Sequence, residues 1–219
     1  MGRVHQIHAC AGHLYVTDAK NNRLSRYVIG GESLKKERDF YANGWLRQND
    51  VHLNSVYCHN GKVYLIYHNR TRYTGRRSQI AVLNNALQVE AIIDTPAGSS
   101  HNIVLWKGIP MYCDSQAGTL VWNEPVLHVD CFTRGLALAD ELVLVGGSEF
   151  AKREDRQNKT GYVFAFDLKD WSLVAQITLL ACSVLELRLI EPTDYGMTGD
   201  VGGVTEQSPR DYPVRKEIS

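Results

Sequence analysis

Four hydrogen-bonding or basic side chains recur at matching places along the chain. Each lies two residues before an apolar residue of a strand-like run, and the four are His5, Asn54, His101 and Arg134. If equivalent strands lie side by side, these side chains meet. Imidazole, amide and guanidinium groups that meet can bind an anionic or polyol ligand, and a histidine can act as a general base. His52 joins them, because residues two apart on a strand point to the same side.

The runs that must position these residues predict an all-β chain. They are short, alternate between apolar and polar residues, and are separated by Gly, Asn and Asp turns, with no helical period. The first two sets of four are Val4–Cys10, His13–Asp18, Arg23–Ile29, Leu34–Phe40, then Leu53–His59, Lys62–His68, Gln79–Leu83, Leu87–Asp94. The next two sets are His101–Lys107, Ile109–Asp114, Thr119–Trp122, Val126–Val129, then Arg134–Ala139, Leu142–Gly147, Gly161–Phe166, Leu173–Leu179. One more run follows at Ser183–Ile190.

The spacing of the sets predicts a β-propeller of four-stranded blades. Aligned on Ile7, Val56, Ile103, Leu136 and Val184, the sets lie 49, 47, 33 and 48 residues apart, close to the length of one blade. We predict five blades in residues 1–190, with an irregular tail at 191–219 that completes the last blade. A four-bladed ring, a partial ring and a β-sandwich remain alternatives.

Further candidates lie where the second runs end and where loops are long. The second runs end at Asp18, His68, Asp114 and Ser148-Glu149. Asp and Ser commonly end strands and start turns, so of these we take only Asp114 and Glu149 as candidate ligand-binding residues. Long loops at residues 69–77 and 148–160 both follow a second run, so both should emerge on the same side of the blades.

Composition narrows the classes of partner. The formal net charge is 0, which gives no electrostatic case for nucleic acid or an anionic membrane. The five cysteines are odd in number and widely spaced, so we predict unpaired thiols, no structural disulfide and a cytoplasmic protein. We also predict no metal, because no carboxylate occupies the aligned positions, and no cofactor.

Three stretches carry a resemblance to a known family. They are His52-Leu53-Asn54-Ser55-Val56; Ser100-His101-Asn102 with Asp114-Ser115; and Phe132-Thr133-Arg134-Gly135-Leu136 with Gly147-Ser148 and Arg153-Glu154. Over residues 50–190 the chain resembles an uncharacterised bacterial β-propeller family, a conserved hypothetical domain of unknown function. It departs from the family at Asn102-Ile103, where Pro-Arg is usual, and at Gln116, where Gly is usual.

The resemblance implies a propeller fold without naming a reaction. It marks His52, Asn54, His101, Asp114, Arg134 and Arg153 as residues at the family's motif positions.

These patterns lead to one main hypothesis and two alternatives. The main one is a protein that binds a small polar or anionic molecule, such as a carbohydrate or carboxylate, in the central channel of the propeller, which the first strand of each blade lines. His5, Asn54, Asp114, Arg134, Glu149 and Arg153 would hold that ligand. One alternative is a hydrolase or lyase with His52 or His101 as general base, so enzyme activity stays open. The other is a scaffold for a protein partner.

Overall fold

The computed structural model describes residues 4–45, 50–152, 154–180 and 182–189. These residues form four antiparallel sheets of four strands each. The first two sheets contain β1 Val4–Cys10, β2 His13–Asp18, β3 Arg23–Gly30, β4 Ser33–Trp45, then β5 Leu53–His59, β6 Lys62–Tyr67, β7 Gln79–Leu83, β8 Val89–Asp94. The other two contain β9 Ser100–Trp106, β10 Ile109–Asp114, β11 Thr119–Trp122, β12 Glu124–His128, then β13 Phe132–Ala139, β14 Leu142–Ser148, β15 Gly161–Asp167, β16 Leu173–Leu179.

Each sheet is a meander in which strands that follow one another in the chain are hydrogen-bonded neighbours. Four separate four-stranded sheets are the blades of a β-propeller, and they exclude the two-sheet sandwich. The predicted fold class is therefore confirmed. The described residues form four blades, which supports the four-bladed alternative over the five that we expected.

The predicted fifth set fails because its first run is not a strand. Residues 182–189 have no strand assignment. The amide of Val184 donates to the Ser148 hydroxyl at 3.0 Å instead of joining a ladder. A Cβ on Gly146 would clash with Val184 Cγ1, so glycine lets this segment approach β14 closely. The predicted tail at 191–219 lies outside the described residues.

The chain divides into two compact units, one ending at Ile103 and the other beginning at Val104. In the first unit, buried residues of the first two sheets form a continuous apolar core that includes Leu24, Leu53, Val56 and Leu65. Six consecutive residues of β5 are buried, whereas every residue of β8 is exposed. In this sheet the first strand is thus packed on both faces, and the side chains of the last strand face solvent.

In the second unit, three tryptophans pack together. The rings of Trp106 and Trp122 have centroids 4.2 Å apart, and Trp171 lies 5.6 Å from Trp106. Trp171 is 3% exposed. These tryptophans therefore bury a large apolar area within this unit, as aromatic strand residues usually do.

Both long loops follow a second strand, as predicted, and each carries one short helical turn. Thr71–Thr74 forms an α-helical turn between β6 and β7, and Arg156–Asn158 forms a 3-10 turn between β14 and β15. Among the described residues, no helix has the length and apolarity needed to cross a membrane.

The prediction that all five cysteines are unpaired is wrong. Cys10 at the end of β1 and Cys58 in β5 form a disulfide, with Cα atoms 6.1 Å apart. The physical reason is the repeat itself, since it brings the same part of successive first strands side by side. The expected cytoplasmic location rested on unpaired thiols, and this pair removes that basis.

Cys113, Cys131 and Cys182 are free thiols. Burial raises the pKa of Cys131 to about 11 and also raises the pKa of Cys113 well above its usual range. Both are therefore protonated at neutral pH, and protonated buried thiols react slowly.

We expect reductant to destabilise the protein. The disulfide joins residues 48 apart in the chain, and closing a loop of that length stabilises a fold by about 4 kcal/mol in the chain-entropy model. Adding tris(2-carboxyethyl)phosphine should lower the melting temperature by several degrees in differential scanning fluorimetry. The Cys10→Ser/Cys58→Ser variant should melt at the lower temperature with or without reductant. Equal melting temperatures of the wild-type protein in both conditions would contradict the disulfide.

Candidate functional site

Four histidines of the first unit form a closed cluster of imidazole rings. His5 lies on β1, His52 just before β5, His68 just after β6 and His101 on β9. Ring centroids are 5.4 Å apart for His5–His52, 5.4 Å for His52–His68, 5.2 Å for His68–His101 and 5.7 Å for His101–His5. Each ring thus contacts two others, and the cluster returns to its starting point.

The cluster reaches from the protein interior to its surface. His101 is 4% exposed, while His5, His52 and His68 are half-buried. Half the histidines of the chain are gathered here, since the sequence contains eight. A polar group entering from solvent would meet the three half-buried rings before the buried one.

His5 is placed on the cluster by a β-bulge. Val4 pairs with Asp18 and Ile7 pairs with Val16, so His5 and Gln6 together oppose the single residue Thr17. A bulge of this kind frees two residues of the strand from regular pairing and redirects their side chains.

The same bulge recurs at the equivalent place in two other first strands. In β5, Asn54 and Ser55 together oppose one residue of the paired strand β6. In β13, Arg134 and Gly135 together oppose one residue of β14. Three of the residues that the sequence aligned, His5, Asn54 and Arg134, are therefore bulge residues. These three residues therefore share the same local backbone arrangement in their strands.

Side chains replace the hydrogen bonds that the bulge removes. The Gln6 Oε1 atom accepts from the Val56 amide at 2.7 Å, and the Thr17 hydroxyl accepts from the Gln6 amide at 2.9 Å. Along the next pair of first strands, the Ser55 hydroxyl accepts from the Asn102 amide at 2.8 Å. Asn54 Nδ2 donates to the Ser100 carbonyl at 3.1 Å. These contacts join β1 to β5 and β5 to β9 beside the histidine cluster.

His52 is held by a turned backbone and a neighbouring blade. Its φ is 51°, a left-handed conformation that few residues other than glycine and asparagine adopt. Its amide donates to Asn22 Oδ1 at 2.9 Å, and its carbonyl accepts from the His68 amide at 3.4 Å. The main chain therefore brings His52 and His68 together directly.

Main-chain contacts also decide which ring nitrogen of two histidines carries the proton. His101 Nδ1 lies 2.9 Å from the Ser99 carbonyl, and a carbonyl only accepts, so Nδ1 bears hydrogen. The Arg70 amide donates to His68 Nδ1 at 3.1 Å, so that nitrogen offers its lone pair. In their neutral forms, His101 therefore has a lone pair at Nε2, and His68 has a hydrogen there.

The predicted site residues divide between the two units. The structure brings His5, His52 and His101 together. Asn54 lies beside them, but it is 1% exposed, and its amide is already bonded at both ends, since Oδ1 accepts from the Ser55 hydroxyl at 3.2 Å.

The remaining predicted residues belong to the second unit or lie outside the described residues. Asp114 ends β10, and Glu149 follows β14, where its amide donates to the Thr160 carbonyl. Arg134 is half-buried, with its guanidinium 5.2 Å from the centre of the Phe132 ring. Arg153 lies outside the described residues. The ligand-binding roles of Asp114, Glu149, Arg134 and Arg153 stay predictions.

Sequence reasoning missed His68 as a site residue. His68 ends the second run of its set, where turns are common. It was therefore interpreted as a turn residue and not as a site residue. One signal in the sequence was available. His68 lies opposite His52, two residues outside the bulge, and three other histidines were already predicted to lie close together.

Across the parts of the chain that are described, no group of three or more His, Cys, Asp or Glu residues has the arrangement needed to hold a metal ion. The cluster is therefore treated as a set of hydrogen-bonding and basic groups.

A separate cavity of about 450 Å³ lies in the first unit, at the other end of β1 and β5. Cys10, Cys58, Tyr15, Arg26 and Glu37 are among its lining residues. Its main charge is already neutralised, because Arg26 Nε donates to Glu37 at 2.6 Å. That hydrogen bond also lowers the pKa of Glu37. The cavity contains none of the predicted site residues.

No family model and no curated protein matches the chain, so its resemblance to an uncharacterised propeller family stays a prediction. Solved structures do match it. The computationally designed Ika8 protein has a TM-score of 0.56 and 10% identity, covering 89% of this chain and 57% of that one. An exo-β-1,3-galactanase from Phanerochaete chrysosporium, solved with β-1,3-galactotriose, has 0.54 and 10%, covering 80% and 49%.

Drosophila Semaphorin 1a, extracellular domains 1–2, has a TM-score of 0.50 and 11% identity, covering 76% of this chain and 38% of that one. The chain thus spans between 38% and 57% of the length of these three proteins. At such identities the likeness shows the fold alone, and one fold serves an enzyme, a designed protein and an extracellular protein here.

We expect Gln6→Ala to destabilise the protein. The substitution removes the acceptor of the Val56 amide, and Val56 is 0% exposed. A buried amide that loses its partner costs about 1–3 kcal/mol. Urea unfolding followed by tryptophan fluorescence measures the loss.

Gln176→Ala is the matched control, because Gln176 is exposed on β16. It should change the free energy of unfolding by no more than about 0.5 kcal/mol. If the two variants are equally stable, the Gln6 side chain does not support the bulge.

Proposed function

We propose that the chain binds a small polar or anionic molecule, such as a carbohydrate or a carboxylate, at the cluster of His5, His52, His68 and His101. The observation that carries the proposal is the closed ring of four imidazoles, three of which are half-buried. A neutral imidazole donates a hydrogen bond from one ring nitrogen and accepts one at the other, so a cluster of four suits a ligand with several polar groups.

The surroundings of the cluster support a preorganised site. Its rings are positioned by main-chain contacts and by strands that buried side chains hold together, so little ordering is needed when a ligand binds. Asn54 acts in this proposal by holding β9 beside β5, because its amide is bonded on both sides.

We expect ligands to perturb the cluster histidines selectively. The probes are inorganic phosphate, an anion, and methyl β-D-galactopyranoside, a neutral polyol. In long-range ¹H–¹⁵N spectra of histidine-labelled protein at pH 7, at least one probe should shift the four cluster resonances saturably. The resonances of His13, His59 and His128 should not move.

We expect the His52→Asn variant to bind the probe more weakly. Asparagine tolerates the left-handed backbone at this position, and the substitution removes one imidazole. Losing one good hydrogen bond weakens binding by about tenfold. His128→Asn, at an exposed position on β12, should bind as wild type does. The proposal fails if neither probe shifts the cluster resonances.

Arg134, in the second unit, keeps its own proposed role of holding an anionic group, since its planar fork matches a carboxylate or phosphate. Arg134→Ala should weaken the binding of inorganic phosphate, measured by isothermal titration calorimetry, while leaving the melting temperature nearly unchanged. Arg76→Ala, at an exposed loop position, is the control. Equal phosphate affinity in both variants would contradict this role of Arg134.

A hydrolase or lyase is the second candidate, and the orientation of His101 favours it. Its Nδ1 hydrogen is bonded to the Ser99 carbonyl, so in the neutral ring Nε2 is the nitrogen that carries the basic lone pair. This is the arrangement a general base requires, with one ring nitrogen oriented by the protein and the other directed at the substrate. His52 is the other predicted base.

A scaffold for a protein partner is the third candidate. The outermost strand of the second unit exposes Leu173, Val174 and Ile177, each by more than half. Apolar side chains gathered on an exposed strand favour contact with another protein.

A further inference from the structure

We propose further that the loop of residues 69–77, between β6 and β7, docks an acidic segment of a protein partner. This surface is formed by the side chains of the loop and not by the histidine cluster, so the proposal goes beyond the proposed function. It is carried by the positive charge of the loop, by the hydrogen bonds that hold its backbone and by an exposed tyrosine.

The loop concentrates positive charge in a chain whose formal net charge is 0. It contains no aspartate or glutamate and four arginines, which are Arg70, Arg72, Arg76 and Arg77. Arg76 is already paired, because its Nη2 atom lies 3.6 Å from Asp50 Oδ2. One of the four positive charges is thus balanced locally, and three remain. A surface of this kind is complementary to an acidic partner.

Two of the arginines have guanidinium groups that face solvent. Arg72 and Arg77 are exposed, and among the described residues neither side chain has a hydrogen bond or an ion pair. A guanidinium presents a planar fork of donors that binds a carboxylate through two parallel hydrogen bonds. Aspartate and glutamate side chains of a partner therefore match this pair in both charge and geometry.

Hydrogen bonds hold the backbone of the loop before a partner binds. Asn69 is 2% exposed, and its Nδ2 atom donates to the Arg77 carbonyl at 2.8 Å across the base of the loop. The Thr74 hydroxyl donates to the Asn69 carbonyl at 2.5 Å. The Thr71 hydroxyl donates to the Gly98 carbonyl, which lies outside the loop. A loop that is ordered in advance loses less conformational entropy when it binds.

Tyr73 adds an aromatic side chain to the same surface. It is 74% exposed, so it contributes little to the core. The guanidinium carbon of Arg70 lies 4.8 Å from the centre of its ring, which places a cation against an aromatic face in solvent. Tyrosine and arginine, with tryptophan, are the residue types that contribute most to binding at protein interfaces. The composition of the loop therefore favours a protein partner.

The exposure of the loop favours an acidic protein segment over the other anionic ligands. Residues 72–77 are all exposed, whereas small molecules bind in concave sites that cover most of their surface. Proteins that bind nucleic acid neutralise several phosphates along an extended basic face. Three unbalanced charges on one loop of a neutral chain suit the smaller footprint of a few carboxylates.

Fluorescence anisotropy with fluorescein-labelled octaglutamate tests the site. We expect saturable binding at low ionic strength that weakens as sodium chloride is added, because salt screens exposed charges. Arg72→Gln/Arg77→Gln should weaken binding by about tenfold, since charge-assisted hydrogen bonds are lost. Tyr73→Ala should also weaken it, because the ring that Arg70 contacts is removed.

A charge-matched variant provides the control. Lys35→Gln/Lys169→Gln removes the same charge from exposed positions outside the loop and should bind octaglutamate as the wild-type protein does. His52→Asn separates this proposal from the proposed function. It should weaken the ligands of the histidine cluster and leave octaglutamate binding unchanged, so either proposal can fail without the other.

Three results would overturn the proposal. The first is the absence of saturable binding. The second is a loss in the arginine variant no larger than the loss in the lysine variant, because the attraction would then be non-specific. The third is tighter binding of an oligo(dT) of the same length than of octaglutamate, with the same dependence on Arg72 and Arg77, which would make the loop a nucleic-acid site.

Discussion

The β-bulge in the first strand of a blade is the constraint on which the candidate site depends. A bulge redirects the side chains of the two residues that it frees from regular pairing, here His5 and Gln6. With two residues opposite one, the strand places His5 on the cluster and leaves amides that need new partners. The buried polar side chains supply those partners: Gln6 Oε1 accepts from the Val56 amide, and the Thr17 hydroxyl accepts from the Gln6 amide. Gln6 and Thr17 thus stabilise the same bulge that places His5 on the cluster.

The strands that carry the cluster are fixed at both ends. Near one end, a buried hydrogen bond from the Val56 amide to Gln6 ties β5 to β1, and one from the Thr17 hydroxyl to the Asn54 carbonyl ties β2 to β5. Near the other, the Cys10–Cys58 disulfide joins the same two strands covalently. Between them, the His8 and Tyr57 rings lie 5.2 Å apart. Strands held in this way cannot slide past each other, and a site built on them keeps its geometry before a ligand arrives.

Sequence reasoning reached the parts of this arrangement that repeat. The alternation of apolar residues and the spacing of the sets predicted the strands, and the alignment placed His5 and His101 in equivalent positions that the structure brings together with His52. It missed what depends on local geometry. His68 lies outside a strand, where its type looked like a turn residue, and the pairing of Cys10 with Cys58 depends on which strands become neighbours. The fifth blade was expected because Val184 fits the apolar spacing, but its amide bonds to a hydroxyl and not to a strand.

The chemistry of the cluster is decided by the main chain more than by residue type. Four imidazoles can bind a metal, an anion or a polyol, and the fold alone does not determine which of these ligands binds. One carbonyl and one amide instead fix which nitrogen carries the proton in two of the neutral rings. The Ser99 carbonyl fixes the proton of His101 on Nδ1, and the Arg70 amide, at the start of the long loop after β6, keeps the proton of His68 away from Nδ1. A change in that loop would alter the donor at the cluster without touching any histidine. The loop after the second strand therefore contributes to the hydrogen-bonding pattern of the cluster through its main chain.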